Sequence, residues 1–381
     1  MTISRRNLIQ NIGAAAAAAA LPAWGEWSEI EASERRGPGV RAGEAASLIR
    51  LNRNESPYGP GERTRAAIRE AILEPNRYPA GELDALTNAI AGLHGVKPEQ
   101  ITLGCGSSDL LRVAADAFLG PGKSLVQVTP TFEVIARDAQ ANGAEVRSVP
   151  LAKDYLHDLD GMLRRIDGST SLVYVCNPNN PTGTLTPQRA LEEFVGKIPS
   201  GTHVLMDEAY HDYVAHGSDY KSWVSRAGND DRLIVLRTFS KVYGLAGLRI
   251  GYSVASAATA KRLAAHRLQF AVSLVGARAA KAAAEDAAHV KEIAHRNAED
   301  RREFFRQAER RKVASIASQT NFALLRTERP GREVGAQLRE SGVLISAGYP
   351  SLDNYIRVSF GLPEEMRSFW GAWDNRVSHR S

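Results

Sequence analysis

Cysteine is almost absent from this chain of 381 residues: Cys105 and Cys176 are the only two. Neither belongs to a CxxC pair or a Cys/His cluster, so a disulfide framework and a thiolate metal site both lack support, and no metal is expected. Burial as small apolar side chains is the simpler role for both. Lys and Arg never gather among interleaved aromatics, and the net charge of +5 is modest, so a nucleic-acid partner is not expected. The weakly apolar stretch Ile12 to Ala23 is too short and too rich in alanine to span a bilayer. Internal repeats are missing as well. What remains, 43% hydrophobic and 24% charged residues, is an ordinary globular composition, long enough for two domains.

The amino end carries more information. In "SRRNLIQNIGAAAAAAALPAWG", Arg5 and Arg6 precede the weakly apolar stretch, and small residues follow. This resembles a twin-arginine export signal, an address read by a receptor rather than an anchor. Leu8, where such signals prefer phenylalanine, and Gln10, where lysine is usual, depart from the pattern. The resemblance implies the twin-arginine translocation machinery as a partner and a periplasmic or secreted bacterial protein. The alternative is a disordered tail on a cytoplasmic one. Residues 26–47 are polar and rich in Gly, Glu and Arg, and read as a linker.

From Leu48 onward, short apolar runs alternate with helical patterns. "ITL" (101–103), "SLVQV" (124–128), "AEVRSV" (144–149), "SLVYVC" (171–176), "HVLMD" (203–207) and "RLIVLR" (232–237) read as strands. Stretches such as "SDLLRVAADAFL" repeat apolar residues at helical spacing between them. The alternation predicts an α/β fold with a mostly parallel sheet and helices on both faces. After about residue 256, long Ala/Arg/Glu-rich helices give way to short strands at "FALLR", "GVLISA" and "YIRVSFG", and to a closing helix "EEMRSFWGAWDNRV". That is a smaller α+β domain.

In such sheets, ligands sit at the carboxyl ends of the strands. "GCGSSDLL" follows a strand and opens a helix, where free N–H groups of Gly106, Ser107 and Ser108 favour an anion. Asp207 ends the strand "HVLMD", with Tyr210 one turn later. "NPNNPTG" (177–183) supplies turn formers and side-chain amides. In "RTFSKVYGLAGLRIGY", Lys241 lies between hydroxyls and a glycine-bearing loop that leads to Arg249. A surface lysine needs none of that company.

These motifs, with "LNRNESPYGP", "RYP", "PTF" and "YIRVSFG", resemble in order and spacing the fold-type I aminotransferases that use pyridoxal 5'-phosphate, nearest to histidinol-phosphate aminotransferases, across residues 48–381. The resemblance implies that Lys241 binds the cofactor covalently and that Asp207 faces its ring nitrogen. A site that lowers the lysine pKa would leave its amine reactive near neutrality. Asn180 and Tyr210 match the pair that bonds the cofactor's phenolic oxygen, and Phe132 the aromatic stacked on its ring. Ser107, Ser108, Thr238, Ser240 and Arg249 match the phosphate site. Tyr78 matches a tyrosine that reaches the phosphate of a neighbouring subunit, which implies a homodimer with shared active sites. Arg357 matches the arginine that grips the anionic group of the substrate, and Asn54 lies in a segment near that substrate. Composition, the change of pattern after residue 256 and the two resemblances together divide the chain into an export signal (1–25), a linker (26–47), a first segment of the small domain (48–60), a large cofactor domain (61–255), interdomain helices (256–300) and the C-terminal small domain (301–381).

Two departures bear on substrate. Histidinol-phosphate enzymes usually carry a Pro-Tyr element before "LNxNE"; here the region is "RRGPGVRAGEAASLIR". They also carry a second arginine after the "GVxI" strand, where this chain has Ser346. Both missing groups help hold a phosphate. The expectation is therefore transamination between an ordinary α-amino acid, aromatic or bulky, and a 2-oxo acid, in preference to histidinol phosphate. Amino-acid decarboxylation on the same scaffold is the alternative reaction. A non-catalytic cofactor-binding protein is the third reading, against which Lys241, Asp207 and Arg357 all stand.

Overall fold

A computed structural model describes residues 48–215, 218 and 220–377; the expected export signal and linker lie outside them. The described residues from Ile49 onward cluster as one compact unit. The strands are β1 (Ile49–Arg50), β2 (Ile101–Gly104), β3 (Ser124–Thr129), β4 (Glu145–Pro150), β5 (Thr170–Cys176), β6 (His203–Asp207), β7 (Leu233–Thr238), β8 (Gly251–Ala255), β9 (Phe322–Arg326), β10 (Val343–Leu344), β11 (Ser346–Ala347) and β12 (Tyr355–Ser359). The α-helices are α1 (Glu62–Ala71), α2 (Ala80–His94), α3 (Ser107–Phe118), α4 (Val134–Ala141), α5 (Leu159–Arg165), α6 (Gln188–Lys197), α7 (Val224–Ala227), α8 (Ala257–Ala264), α9 (Leu274–Ala284), α10 (Ala287–Arg310), α11 (Gly331–Glu340) and α12 (Pro363–Arg376).

Seven strands form the large sheet in the order β2-β8-β7-β6-β5-β3-β4. From β7 to β4 all pairings are parallel, while β8 runs antiparallel to both its neighbours. The parallel α/β expectation is met, with one strand it lacked. "GYSVA" gives no apolar/polar alternation because all five of its residues are buried, so it reads as a continuation of the preceding loop.

Alternate residues of each central strand feed two separate cores. Val126, Val173, Val204 and Val235 face one side, covered by α2, α5, α6, α7 and α9. Leu125, Leu172, Leu205 and Ile234 face the other, beneath α3, α4 and α8. Each such side chain contributes about 1.5–3 kcal/mol on burial, and the period of two explains why these strands need helices on both faces.

The smaller lobe has its own core. Leu51, Phe304, Ile356, Val358, Phe360 and Trp370 are among its buried members. β11, β12 and β9 form an antiparallel sheet, and β1 pairs in parallel with β10. Helix α10 spans both regions, with Ile293 in the large core and Phe304 and Ala308 in the small one.

Candidate active site

Parallel pairing brings the carboxyl ends of β5, β6 and β7 to one edge of the large sheet, and the sequence-predicted residues collect there. Asp207 closes β6 opposite Cys176 of β5. Its carboxylate accepts from the Tyr174 hydroxyl at 2.9 Å and from the Ala209 N–H at 3.1 Å. No arginine or lysine pairs with it among the described residues. Burial therefore raises its pKa to about 6, with the two hydrogen bonds opposing the rise. Tyr174 escaped sequence reading, although it stands two residues before Cys176 and so shares the Asp207 side of β5.

Lys241 follows β7. Its amine donates to the backbone carbonyls of Arg53 at 3.3 Å and Asn54 at 3.2 Å, and stands 5.5 Å from the centre of the Tyr210 ring. Burial of the amine lowers its pKa to about 7, helped by the nearby Arg357 guanidinium. A fraction of this lysine is thus a free base at neutral pH.

A second cluster surrounds the start of α3. Gly106 opens the helix at φ 78° with no side-chain cap, leaving the first N–H groups of Ser107 and Ser108 available. Arg249 closes over that end: a Cβ on Gly106 would lie 2.3 Å from its Nη2. Only glycine permits both the backbone and this approach. Arg249 itself adopts a left-handed conformation, φ 57°, and its Nη1 donates to the Ala246 carbonyl at 3.1 Å. The Thr238 hydroxyl donates to Ser240 Oγ at 2.9 Å. Gly251 lets β8 pass the same helix start, since a Cβ there would come within 2.4 Å of the Ser107 nitrogen.

Arg357 comes from the other lobe. It sits on β12 opposite Ser346 of β11 and Leu324 of β9. Its Nη1 donates to Asn180 Oδ1 at 2.5 Å and its Nη2 to the Asn52 carbonyl at 2.8 Å. Its Nε is buried with no hydrogen-bond partner. The rings of Phe322 and Tyr349 stand 5.3 and 5.5 Å from the guanidinium carbon. Neither ring was legible as part of the site, because each belongs to a short strand or turn of no distinctive pattern.

The remaining candidates divide. Tyr210 is buried, which raises the pKa of its phenol. Asn54 commits its amide to Tyr210 and Ser359 rather than leaving it free. Phe132 is half-buried in the turn between β3 and α4, tied towards the 177–183 loop by the Thr131 hydroxyl bond to Asn179 Oδ1 at 2.8 Å. Tyr78 stands apart from this cluster, 80% exposed, its ring 4.9 Å from that of Phe270.

Residues 46–369 match aminotransferase class I and II. The chain belongs to that family. It is 38% identical over 321 residues to a histidinol-phosphate aminotransferase of Bacillus cytotoxicus, covering 84% of this chain and 86% of the relative. A histidinol-phosphate aminotransferase of Halalkalibacterium halodurans is also 38% identical, over 323 residues, with 84% and 86% covered. The crystal structure of histidinol-phosphate aminotransferase from Sinorhizobium meliloti in complex with pyridoxal-5'-phosphate superposes with a TM-score of 0.85 at 28% identity, covering 100% of this chain and 99% of that one. L-threonine-O-3-phosphate decarboxylase from Porphyromonas gingivalis, at 23% identity and TM-score 0.75 with 86% and 99% covered, shares the fold.

The protein is a pyridoxal-phosphate-dependent aminotransferase, and its residues suit that cofactor. An uncapped helix start under an arginine fits a phosphate. A buried carboxylate lacking a cation fits a protonated ring nitrogen. A lysine poised near neutrality fits an aldehyde. Among the described residues, no group of three His, Cys, Asp or Glu is arranged for a metal ion.

Proposed function

We propose that this aminotransferase acts on an α-amino acid with one carboxylate and an aromatic or bulky side chain, in preference to histidinol phosphate. The observation that carries the reading is Arg357: one buried guanidinium with an open Nε, flanked by two rings. Such a group suits a planar carboxylate. The residue opposite it is Ser346, whose hydroxyl accepts from Tyr349 at 2.7 Å, so no second cation is supplied there for a phosphate.

Pyridoxal phosphate, when bound, supplies an electron sink for the substrate's α-carbon. Lys241 would hold it, and the same amine would serve as the base for the proton on the substrate's α-carbon. Asp207 would keep the ring nitrogen protonated. Asn180 presents its oxygen to Arg357, and its NH₂, together with Tyr210, would donate to the cofactor's phenolic oxygen. Phe132 would stack on the ring. Ser107, Ser108, Thr238, Ser240 and Arg249 would hold the phosphate.

Half-reactions with a panel of amino acids, followed by the absorbance of the bound cofactor, test the substrate; faster conversion of histidinol phosphate than of any amino acid overturns it. We further propose a homodimer, supported by exposed Leu73, Tyr78, Leu268 and Phe270, of which the Tyr78 and Phe270 rings lie 4.9 Å apart. Light scattering at monomer mass would refute it. The motif at Arg5 and Arg6 supports export by the twin-arginine route. Cell fractionation should recover a processed protein outside the cytoplasm; a cytoplasmic chain still starting at Met1 excludes export.

A further inference from the structure

The hydrogen bonds beside Tyr210 run in one direction. Ser359 Oγ on β12 accepts the Asn54 backbone N–H at 2.8 Å and donates its own proton to Asn54 Oδ1 at 3.0 Å. The other end of the Asn54 amide, Nδ2, then donates to the Tyr210 hydroxyl at 3.0 Å. A phenol has a single proton. With its oxygen already accepting from Asn54, Tyr210 keeps its O–H to donate elsewhere.

Asn54 is built to hold that orientation. It is 2% exposed, and its φ of 54° lies in the left-handed region that asparagine tolerates better than most residues. Its carbonyl accepts from Asn321 Nδ2 at 3.0 Å and from the Lys241 amine at 3.2 Å. Strained backbone persists where the surroundings over-determine it, and such positions cluster at functional sites. Ser359 stands two residues beyond Arg357, on the same side of β12.

We infer that Ser359 and Asn54 form a relay that fixes the Tyr210 proton, so that the phenol meets the cofactor's phenolic oxygen as a donor. Both are positioning residues acting through Tyr210, and the inference rests on the role given to Tyr210 above. The relay also ties the strand bearing Arg357 to the group that tunes the cofactor. Neither relay member titrates. The charged or titratable groups around Tyr210 are Arg357, Cys176, Asp207, Lys241 and Tyr213.

The test reads the pH at which the absorbance of the lysine-bound cofactor changes in the holoenzyme. Asn54→Gly removes the amide and leaves the left-handed backbone unstrained. Weakening the donor makes the phenolic oxygen more basic, so the transition should move upward by about half a pH unit. Ser359→Ala should move it less, in the same direction, and Ser359→Thr should restore it. In a Tyr210→Phe background, Asn54→Gly should add nothing, because the path is already cut. An unmoved transition in Asn54→Gly, or a shift that persists undiminished in the Tyr210→Phe background, overturns the relay. If Tyr210→Phe alone leaves the transition where it was, the role of Tyr210 fails, and the relay with it.

Discussion

Asp207 and Glu208 are adjacent carboxylates, both buried, and the fold treats them in opposite ways. Glu208 turns to one side of the sheet and is saturated there. It accepts from Arg237 Nε at 2.9 Å, the Trp223 N–H at 2.8 Å, the Ser222 hydroxyl at 2.7 Å and the Tyr220 hydroxyl at 3.1 Å. Arg237 also reaches Asp212 at 3.3 Å, so charge and hydrogen bonds close within the protein. Asp207, on the other side, has a tyrosine and one N–H but, among the described residues, no cation bonded to it, and Arg357 keeps a buried Nε with no hydrogen-bond partner. Buried charge that is fully paired locks β6 to β7. Buried charge left partly unpaired is a binding capacity.

The sharpest way to break this contrast is to remove the reactive amine. Lys241→Ala should lower turnover by about 10³-fold or more and abolish the absorbance of covalently held cofactor. Full activity in that variant would contradict the site. Asp207→Asn should lower kcat by roughly 10²–10³-fold, as for loss of a charge that acts in the transition state.

The same variant should behave differently as an apoprotein. Between about pH 4 and pH 6 the folded Asp207 keeps a proton that the unfolded chain has lost, so wild-type stability falls as pH rises through that window. Asp207→Asn lacks this loss, and its melting temperature should overtake the wild type's as pH rises from 4 to 6. Glu208→Gln should do the reverse, lowering stability by about 3 kcal/mol in chemical denaturation because Arg237 is left under-compensated in the interior. A Glu208→Gln enzyme with unchanged stability would erase the distinction. The smallest effect belongs to Arg357→Lys, which keeps the charge and loses the fork: KM for amino acids should rise about tenfold with a smaller change in kcat.

Much of this contrast could be read from sequence, and the unread part has a physical cause. The strands β5, β6 and β7 are legible because their Val/Leu runs are bounded by turn formers, and the motifs at their ends name Asp207, Asn180 and Lys241. β12 is legible through its period of two, with Ile356 and Val358 in the small core and Arg357 facing away from it. The Tyr174–Asp207 bond depends on the register that sets Cys176 beside Asp207, and a string of letters does not contain a register. The bond from Arg357 to Asn180 joins two lobes and depends on how they meet. Asn54 stands out in the sequence as a candidate, yet the direction in which its amide donates is set by Ser359, 305 positions away.

That separation has a consequence for biosynthesis. The Leu51 carbonyl accepts from the Ser359 N–H and the Leu51 N–H donates to the Leu344 carbonyl, so the segment before the large sheet is fastened by strands translated far later. A ribosome delivers the amino end first. The central strands are all translated before β12, whereas Arg357 and the Ser359 hydroxyl that holds Asn54 arrive only with it. A chain interrupted before Ser359 would lack the bonds that this residue makes to Asn54 and to the Leu51 carbonyl.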